Sequence, residues 1–243
     1  MPSISKVFPF SLRSKPKKHI VILTGAGISA ESGLPTFRGL DGLWNGYKIS
    51  EVASPEAFSK NPQLVLDFYN QRRAQCKTAL PNPAHYALAT LEERYEVSLF
   101  TQNIDPLHEK AGSQSVTHLH GRIDFARSVE NLEEIVPIEG DIHLGDTGLD
   151  GAQLRPYVVW FGEEIHALSY AERCFSTADI VIVIGTSLSV FPANTLIENT
   201  SLESPLYIID PNPGEYFPER AIHIREKASE GVPKLVEELM RIK

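Results

Sequence analysis

Residues 25–39 read GAGISAESGLPTFRG and follow the apolar run His19-Ile20-Val21-Ile22-Leu23-Thr24. A short, continuous apolar run that ends at glycine reads as a buried parallel strand. Gly25-Ala26-Gly27-Ile28-Ser29-Ala30 fits the G-x-G-x-x-G/A turn that brings a dinucleotide pyrophosphate to a helix N-terminus. Gly25 is then expected to allow the tight turn, Gly27 to let backbone approach phosphate, and Ala30 to let helix and strand pack closely. Taken alone, the pattern also fits a strand-to-helix turn with no ligand. A dehydrogenase would return to a second strand ending in Asp or Glu about 20 residues on. Here the chain runs instead into Leu34-Pro35-Thr36-Phe37-Arg38-Gly39. Pro35 stops the helix and leaves an aromatic ring and a guanidinium on a loop beside the nucleotide.

Outward from this stretch, apolar strand-like runs recur at 20–24, 97–101, 115–119, 180–185 and 206–210, with helical patterns between most of them. That alternation predicts an α/β fold with a parallel sheet covered on both faces. Two segments interrupt it. Residues 40–82 hold Ser54-Pro55-Glu56, an N-cap with proline at the first helical position, and an amphipathic helix over 62–77. Residues 122–156 are rich in Gly and Asp, with scattered Ile, Val and Leu.

The chain has 243 residues, 42% hydrophobic and 22% charged, which suits one globular unit with a small inserted lobe. No apolar run reaches the roughly 18 residues of a membrane span. A net charge of -8 argues against general nucleic-acid binding, which leaves a basic footprint. Cys76 and Cys174 are too far apart to suggest a disulfide framework and are expected as small apolar residues on helices. A reducing cytosol fits, so a cytoplasmic protein is expected. Residues 1–30 carry Lys6, Arg13, Lys15, Lys17 and Lys18 and no acid, a bias shared with transit peptides. The apolar stretch there is too broken for a secretory signal, and a short leader before the first strand is expected.

Residues 25–39 closely resemble the signature of the sirtuins, the NAD-dependent protein-lysine deacylases. Further motifs stand in that family's order: Thr101-Gln102-Asn103-Ile104-Asp105, His118-Leu119-His120-Gly121, Val159-Trp160-Phe161-Gly162-Glu163 and Gly185-Thr186-Ser187-Leu188-Ser189-Val190. The resemblance covers about residues 15–240. It implies NAD as cofactor and a Rossmann-like, doubly wound parallel sheet built from residues 1–39, 83–121 and 157–243. A small lobe would be formed by the two insertions, 40–82 and 122–156, with the active site in the cleft between.

In that family the acyl-lysine carbonyl oxygen attacks C1′ of the nicotinamide ribose and nicotinamide leaves. A ribose hydroxyl then attacks the resulting alkylimidate with the help of a base. His120 matches the base, and a histidine suits the task because its unperturbed pKa lies near operating pH. Without the other motifs it would read as a strand-end histidine bonded to backbone. His118 is expected to be structural. By resemblance, Asp105 hydrogen-bonds the nicotinamide carboxamide, Asn103 orients ribose and a water, and Gln102 and Ile104 contact the cofactor. Asp105 could also cap the helix beginning at Pro106, or do both. Gly25, Ala26, Gly27 and Ser29 would line the first cofactor loop. Phe37 would cover the reacting carbon and exclude water, and Arg38 would hold the cofactor. Gly185, Thr186 and Ser187 would cradle phosphate or ribose, Asp210, Pro211 and Asn212 would meet the adenosine half, and Ala228 the adenine. Val159, Trp160, Phe161 and Gly162 would receive the substrate as an extended strand between 159–163 and 188–191.

Tyr69-Asn70-Gln71-Arg72 puts a phenol and a guanidinium on one helix face. The pair resembles the Tyr-x-x-Arg of class III sirtuins, which accept succinyl and malonyl lysine. Outside that frame it would read as surface residues of an amphipathic helix. Class III members usually have alanine where Leu40 stands, so deacetylation beside desuccinylation stays open. Most sirtuins also hold a four-cysteine zinc site between the histidine motif and the peptide strand. Residues 121–158 contain no cysteine and one histidine, His143, a poor tetrahedral set. No structural zinc is expected. Apolar packing by Ile135, Val136, Ile138, Ile142, Leu144, Leu149 and Leu154 would substitute, at about 1.5–3 kcal/mol per fully buried large side chain.

The expectation is therefore an NAD-dependent deacylase acting on acylated lysines of proteins, with acidic acyl groups preferred. It would release nicotinamide and O-acyl-ADP-ribose. The alternative is an ADP-ribosyltransferase or NAD glycohydrolase on the same fold, in which only the nucleophile differs. Neither nucleic acid nor membrane is expected as a partner, and the oligomeric state stays open, a monomer included.

Overall fold

The apolar run after Lys18 is β1 (His19–Thr24). Its side chains alternate between two cores, Ile20 and Ile22 into one, Val21 and Leu23 into the other, none with exposed surface. A strand buried on both faces has no polar side to show, which is why the run is apolar throughout. The computed structural model describes residues 17–36, 43–44, 46–165, 167–188, 191–212 and 217–242. The other strands are β2 (Leu43–Trp44), β3 (Tyr47–Lys48), β4 (Glu96–Thr101), β5 (Val116–His118), β6 (Gly121–Ser128), β7 (Ile135–Pro137), β8 (Leu154–Val158), β9 (Ile180–Ile184), β10 (Leu206–Ile209) and β11 (Ile222–Ile224). The helices are α1 (Ala26–Ser29), α2 (Ile49–Val52), α3 (Pro55–Lys60), α4 (Pro62–Thr78), α5 (Pro83–Thr90), α6 (Leu107–Lys110), α7 (Leu168–Thr177) and α8 (Ala228–Arg241).

The main sheet is parallel throughout, in the order β11-β10-β9-β1-β4-β5. The chain steps outward from β1 to β5, then returns to the other side of β1 as β9. This is the doubly wound order, and its direction reverses between β1 and β9, where open α/β sheets place their ligands. Leu88 of α5 and Val232 and Leu235 of α8 cover one face, and Phe175 of α7 with Leu196 covers the other. The five expected runs are β1, β4, β5, β9 and β10, each ending within two residues of expectation. Cys76 on α4 and Cys174 on α7 are buried thiols. Among the described residues no helix is long and apolar enough to cross a membrane.

Ser54 caps α3 as expected: its Oγ accepts from the Ala57 N–H at 3.1 Å, with Pro55 behind it. Residues 122–156 fold onto α4 as an antiparallel sheet, β7-β6-β8. Ala126 and Ile142 bury against Leu66, with Val136, Ile138 and Leu154 partly covered beside them. Three of the expected packing residues do not contribute. Ile135, Leu144 and Leu149 are 41%, 50% and 96% exposed. Alternation along β7 turns Ile135 outward when Val136 turns in, and the two leucines lie on loops held by polar contacts. The Leu149 N–H, for example, donates to the Glu134 carboxylate at 2.6 Å. Polar ties from α4 do part of the work assigned to those side chains. The Asn70 amide both donates to Ile142 O (2.9 Å) and accepts from its N–H (3.0 Å), and Arg73 Nε donates to Ile123 O at 2.9 Å.

Candidate active site

The loops after β1 and β9 meet where the strand order reverses. The Gly25 N–H donates to Ile184 O at 2.9 Å and the Gly27 N–H to Gly185 O at 2.8 Å. A Cβ on Gly25 would lie 2.7 Å from Thr186 Cβ, one on Gly27 2.6 Å from Gly185 Cα, and one on Gly185 2.4 Å from Ile28 N. These glycines therefore let two backbones interlock. That corrects the expected roles of Gly25 and Ala30. Gly25 has φ −125° and ψ −172°, ordinary extended values that turn nothing tightly, and Ala30 is exposed rather than packed on the sheet. Among the three, only Gly185, at φ +59°, also needs the left-handed region.

The end of β4 is bolted to the first loop. The Asn103 amide, buried, donates to Gly25 O at 3.1 Å and to Ser29 Oγ at 3.2 Å. Gln102 Nε2 reaches Thr186 Oγ1 at 3.2 Å, joining the second loop. Asp105 is buried and its Oδ1 accepts from the Leu107 N–H at 3.2 Å, so it satisfies the first N–H of α6 from just outside the cap position, which Pro106 holds. Burial raises its pKa, against the opposing pull of the Leu107 N–H, the Ser29 hydroxyl and the His118 charge.

His118 and His120 are separated by their partners. His118 Nδ1 faces Asn103 O at 2.8 Å and its Nε2 faces the Glu109 carboxylate at 2.8 Å, so both nitrogens are occupied behind the cleft. Burial would raise the Glu109 pKa, but the His118 hydrogen bond and charge, with Arg122, hold it below the usual range. His120 Nδ1 lies 2.9 Å from Gln102 O. A carbonyl only accepts, so Nδ1 carries the proton and Nε2 keeps its lone pair. Burial lowers the His120 pKa, the Gln102 carbonyl pulling the other way, which keeps the ring neutral at pH 7.

Every expected site residue that lies among the described residues lines one cleft of about 730 Å³. It runs from Asp210, Pro211, Asn212 and Ala228 past Ala26, Ile104 and Ser187 to Tyr69 and Arg72. The Asp210 pKa is raised by burial, against the Asn212 N–H that its Oδ1 accepts at 2.8 Å. Phe37, Arg38 and Leu40 lie outside the described residues, as do Ser189 and Val190. Residues 159–163 line the cleft just beyond the end of β8. After β8 the chain enters a turn closed by the Glu163 N–H on Trp160 O at 3.0 Å, and the Val159 and Phe161 N–H groups bond His120 O and Ala53 O.

At the far end, Tyr69 is fully buried, and its hydroxyl accepts from Trp160 Nε1 at 3.0 Å. Burial raises its pKa, so it remains a phenol. Arg72, three residues on, is 5% exposed and donates to Gln75 Oε1 at 3.2 Å. Burial lowers its pKa, with the Asp105 carboxylate among the groups opposing; a guanidinium stays charged regardless. The Cys76 thiol is pushed up to about 12, by burial first, and is inert. Sequence reasoning missed Arg155, whose guanidinium stacks 3.9 Å from the Trp160 ring centroid and reaches the Glu163 carboxylate at 2.6 Å. A lone arginine in a strand offers no spacing signal for such a contact. Among the described residues, no three His, Cys, Asp or Glu side chains converge on a metal-sized site.

Comparison with known proteins adds to this geometry. The sequence profile described as the Sir2 family matches residues 25–192. A Helicobacter pylori protein named NAD-dependent protein deacylase is 48% identical over 225 residues, which span 90% of this chain and 98% of that protein. Solved structures agree. A mutant Sir2 homologue in complex with ADP-ribose superposes with TM-score 0.85 at 39% identity, covering 93% of this chain and 95% of the other. A Sir2 homologue in complex with NAD gives TM-score 0.82 at 40% identity, covering 93% and 90%.

Proposed function

The chain belongs to the Sir2 family and is an NAD-dependent protein deacylase, and from that premise we propose that it preferentially removes acidic acyl groups, succinyl and malonyl, from lysine side chains, acetyl groups also being accepted. The supporting observation is the pairing of Tyr69 and Arg72, one turn apart on α4, both buried and both lining the cleft. A carboxylate drawn out of water needs charge-assisted partners, and a buried guanidinium beside a phenol supplies them.

NAD supplies an electrophilic ribose carbon and nicotinamide as the leaving group. His120 is the base: its Nε2 lone pair takes the proton of a ribose hydroxyl while Gln102 O holds the ring by Nδ1. Asn103, fixed by Gly25 O and Ser29 Oγ, orients the ribose, and Asp105 receives the carboxamide. Gly25, Gly27 and Gly185 let the two loops interlock and all three line the cleft, which suits a phosphate held by backbone N–H groups. Phe37 and Arg38, which the resemblance gives the task of covering and holding the reacting end, lie outside the described residues.

Arg72→Ala is expected to lose about 10- to 100-fold in kcat/KM on succinyl and malonyl peptides, the equivalent of one charge-assisted bond, and little on acetyl peptides. Mass spectrometry of matched peptides with NAD measures this. An equal loss on all three would return Tyr69 and Arg72 to packing roles. NAD consumption without deacylation by the wild type would favour the ADP-ribosyltransferase or NAD glycohydrolase alternative.

We also read residues 1–39, 83–121 and 157–243 as the nucleotide domain, and 40–82 with 122–156 as a zinc-free second lobe. The ties from Asn70 and Arg73 and the cluster around Leu66 join those two segments. Amide exchange is expected to protect the two segments together and to be unchanged by a chelator. Exchange of 122–156 that accelerates when metal is stripped would contradict a zinc-free lobe.

A further inference from the structure

Two histidines that the chemistry above does not use are sealed behind the catalytic strand end. His85 on α5 and His108 on α6 have no exposed surface, and their rings adjoin at 4.9 Å between centroids. Their protonation follows from their partners. His85 Nδ1 accepts from the Asn82 N–H at 3.3 Å, so its Nε2 carries the hydrogen. His108 Nε2 lies 3.0 Å from Thr24 Oγ1, which donates to Thr101 Oγ1 at 2.8 Å. With the threonine hydrogen spent on Thr101, His108 Nε2 must donate, and Nδ1 keeps the lone pair. The two ring nitrogens left without a hydrogen-bond partner are His85 Nε2 and His108 Nδ1. One is a donor and the other an acceptor, and they belong to adjoining rings. The rings meet by packing, tilted 58° to each other, with no hydrogen bond between them.

The line of groups does not stop at the histidines. Thr101 Oγ1 also accepts from the Asn103 N–H at 3.1 Å, so it fixes the backbone of a residue whose side chain holds the first cofactor loop. At the other end, the Asn82 amide donates to Ile28 O at 2.7 Å and Ser32 Oγ at 3.0 Å, the far side of the same loop. Two hydrogen-bonded runs of buried polar groups, joined by the packed histidine rings, therefore reach the first cofactor segment from both sides. Hydrophobic side chains would fill the space between α5 and α6 without leaving polar nitrogens to satisfy.

We propose, resting on the role given to Asn103 above, that His85, His108, Thr24 and Thr101 form a polar strut that positions Asn103 and the loop of residues 25–32 for the reaction. They are positioning residues and touch neither substrate nor cofactor. Misplacement of reacting groups by a fraction of an ångström to an ångström lowers turnover rather than binding. In His108→Leu and Thr24→Val, kcat is expected to fall on the order of 10- to 100-fold with KM for the acyl peptide unchanged. His108→Gln, whose terminal amide can still donate to Thr24, is expected to recover most of kcat. Wild-type kcat in Thr24→Val, or an equal loss in His108→Gln and His108→Leu, would overturn the strut; if His108→Leu does not fold, Thr24→Val and His108→Gln still decide. Two-bond ¹H–¹⁵N imidazole spectra of the wild type at pH 7 add a readout free of turnover. Both rings are expected as the neutral Nε2–H form, and an Nδ1–H signal from either refutes the donor–acceptor order. Those spectra answer for the strut even if the acyl preference, or Asn103's role, proves wrong.

Discussion

His120→Ala is expected to deacylate about 10²- to 10⁴-fold more slowly than wild type while still binding NAD. The magnitude is that of a general base removed from proton transfer, and nothing nearby can replace it. His118, two residues away, has both ring nitrogens engaged by Asn103 O and Glu109. Asp105 is buried and spends one oxygen on the Leu107 N–H. Binding should survive because His120 anchors only to Gln102 O, whereas the cofactor loops are held by each other and by Asn103. Peptide turnover by mass spectrometry and NAD titration by calorimetry separate the two effects. Turnover within a few-fold of wild type would remove His120 from the reaction.

Acid should destabilise the fold by about 3 kcal/mol between pH 6.5 and pH 4 through His85 alone. Burial lowers the pKa of this fully enclosed ring from 6.5 to about 4. Above pH 6.5 neither the folded nor the unfolded chain is protonated there, and the group leaves stability unchanged. As pH falls through 6.5 the unfolded chain takes up the proton first. The folded state loses ground until about pH 4, where it is protonated too. A gap of about 2.5 units at about 1.36 kcal/mol each gives the magnitude. His108, lowered well below its ordinary value by burial and by the neighbouring charges of His85 and His118, acts with the same sign. Glu109, held low by His118 and Arg122 against its burial, also loses stability as pH falls through its folded value. Asp105 opposes them, because its raised pKa relieves a buried charge on protonation. Urea midpoints at pH 7.5 and pH 4.5 test the balance, and His85→Gln should flatten the dependence. A pH dependence that His85→Gln leaves unchanged would show that His85 is not buried as a neutral base.

What could be seen in advance and what could not divide along physical lines. The central strands were legible because burial on both faces forces a continuous apolar run, as in Ile20-Val21-Ile22-Leu23 and Ile180-Val181-Ile182-Val183. β11 was not, because it is a three-residue edge strand whose Ile222 is half exposed. Motif residues were legible because their spacing along the chain reflects one loop each. Contacts between loops leave no such trace: Gly27 against Gly185, Arg155 over Trp160, and His85 beside His108 join residues tens of positions apart or fall in no repeating pattern. Residues 122–156 misled for a related reason. Apolar content suggested a core, but which side chains turn inward depends on the alternation of a short strand, and Asn70 and Arg73 carry part of the attachment.

Trp160 gives the cleft an optical report of its own state. Its indole N–H is committed to Tyr69 and its face to the Arg155 cation, so the ring is clamped between two groups at the acyl end. Indole emission follows the polarity and charge around the ring, and anything seated against Tyr69 alters both. The chain holds one other tryptophan, Trp44. Occupancy of the pocket can thus be followed as a change of colour and brightness in the unlabelled protein, on the timescale of binding and before any bond is broken.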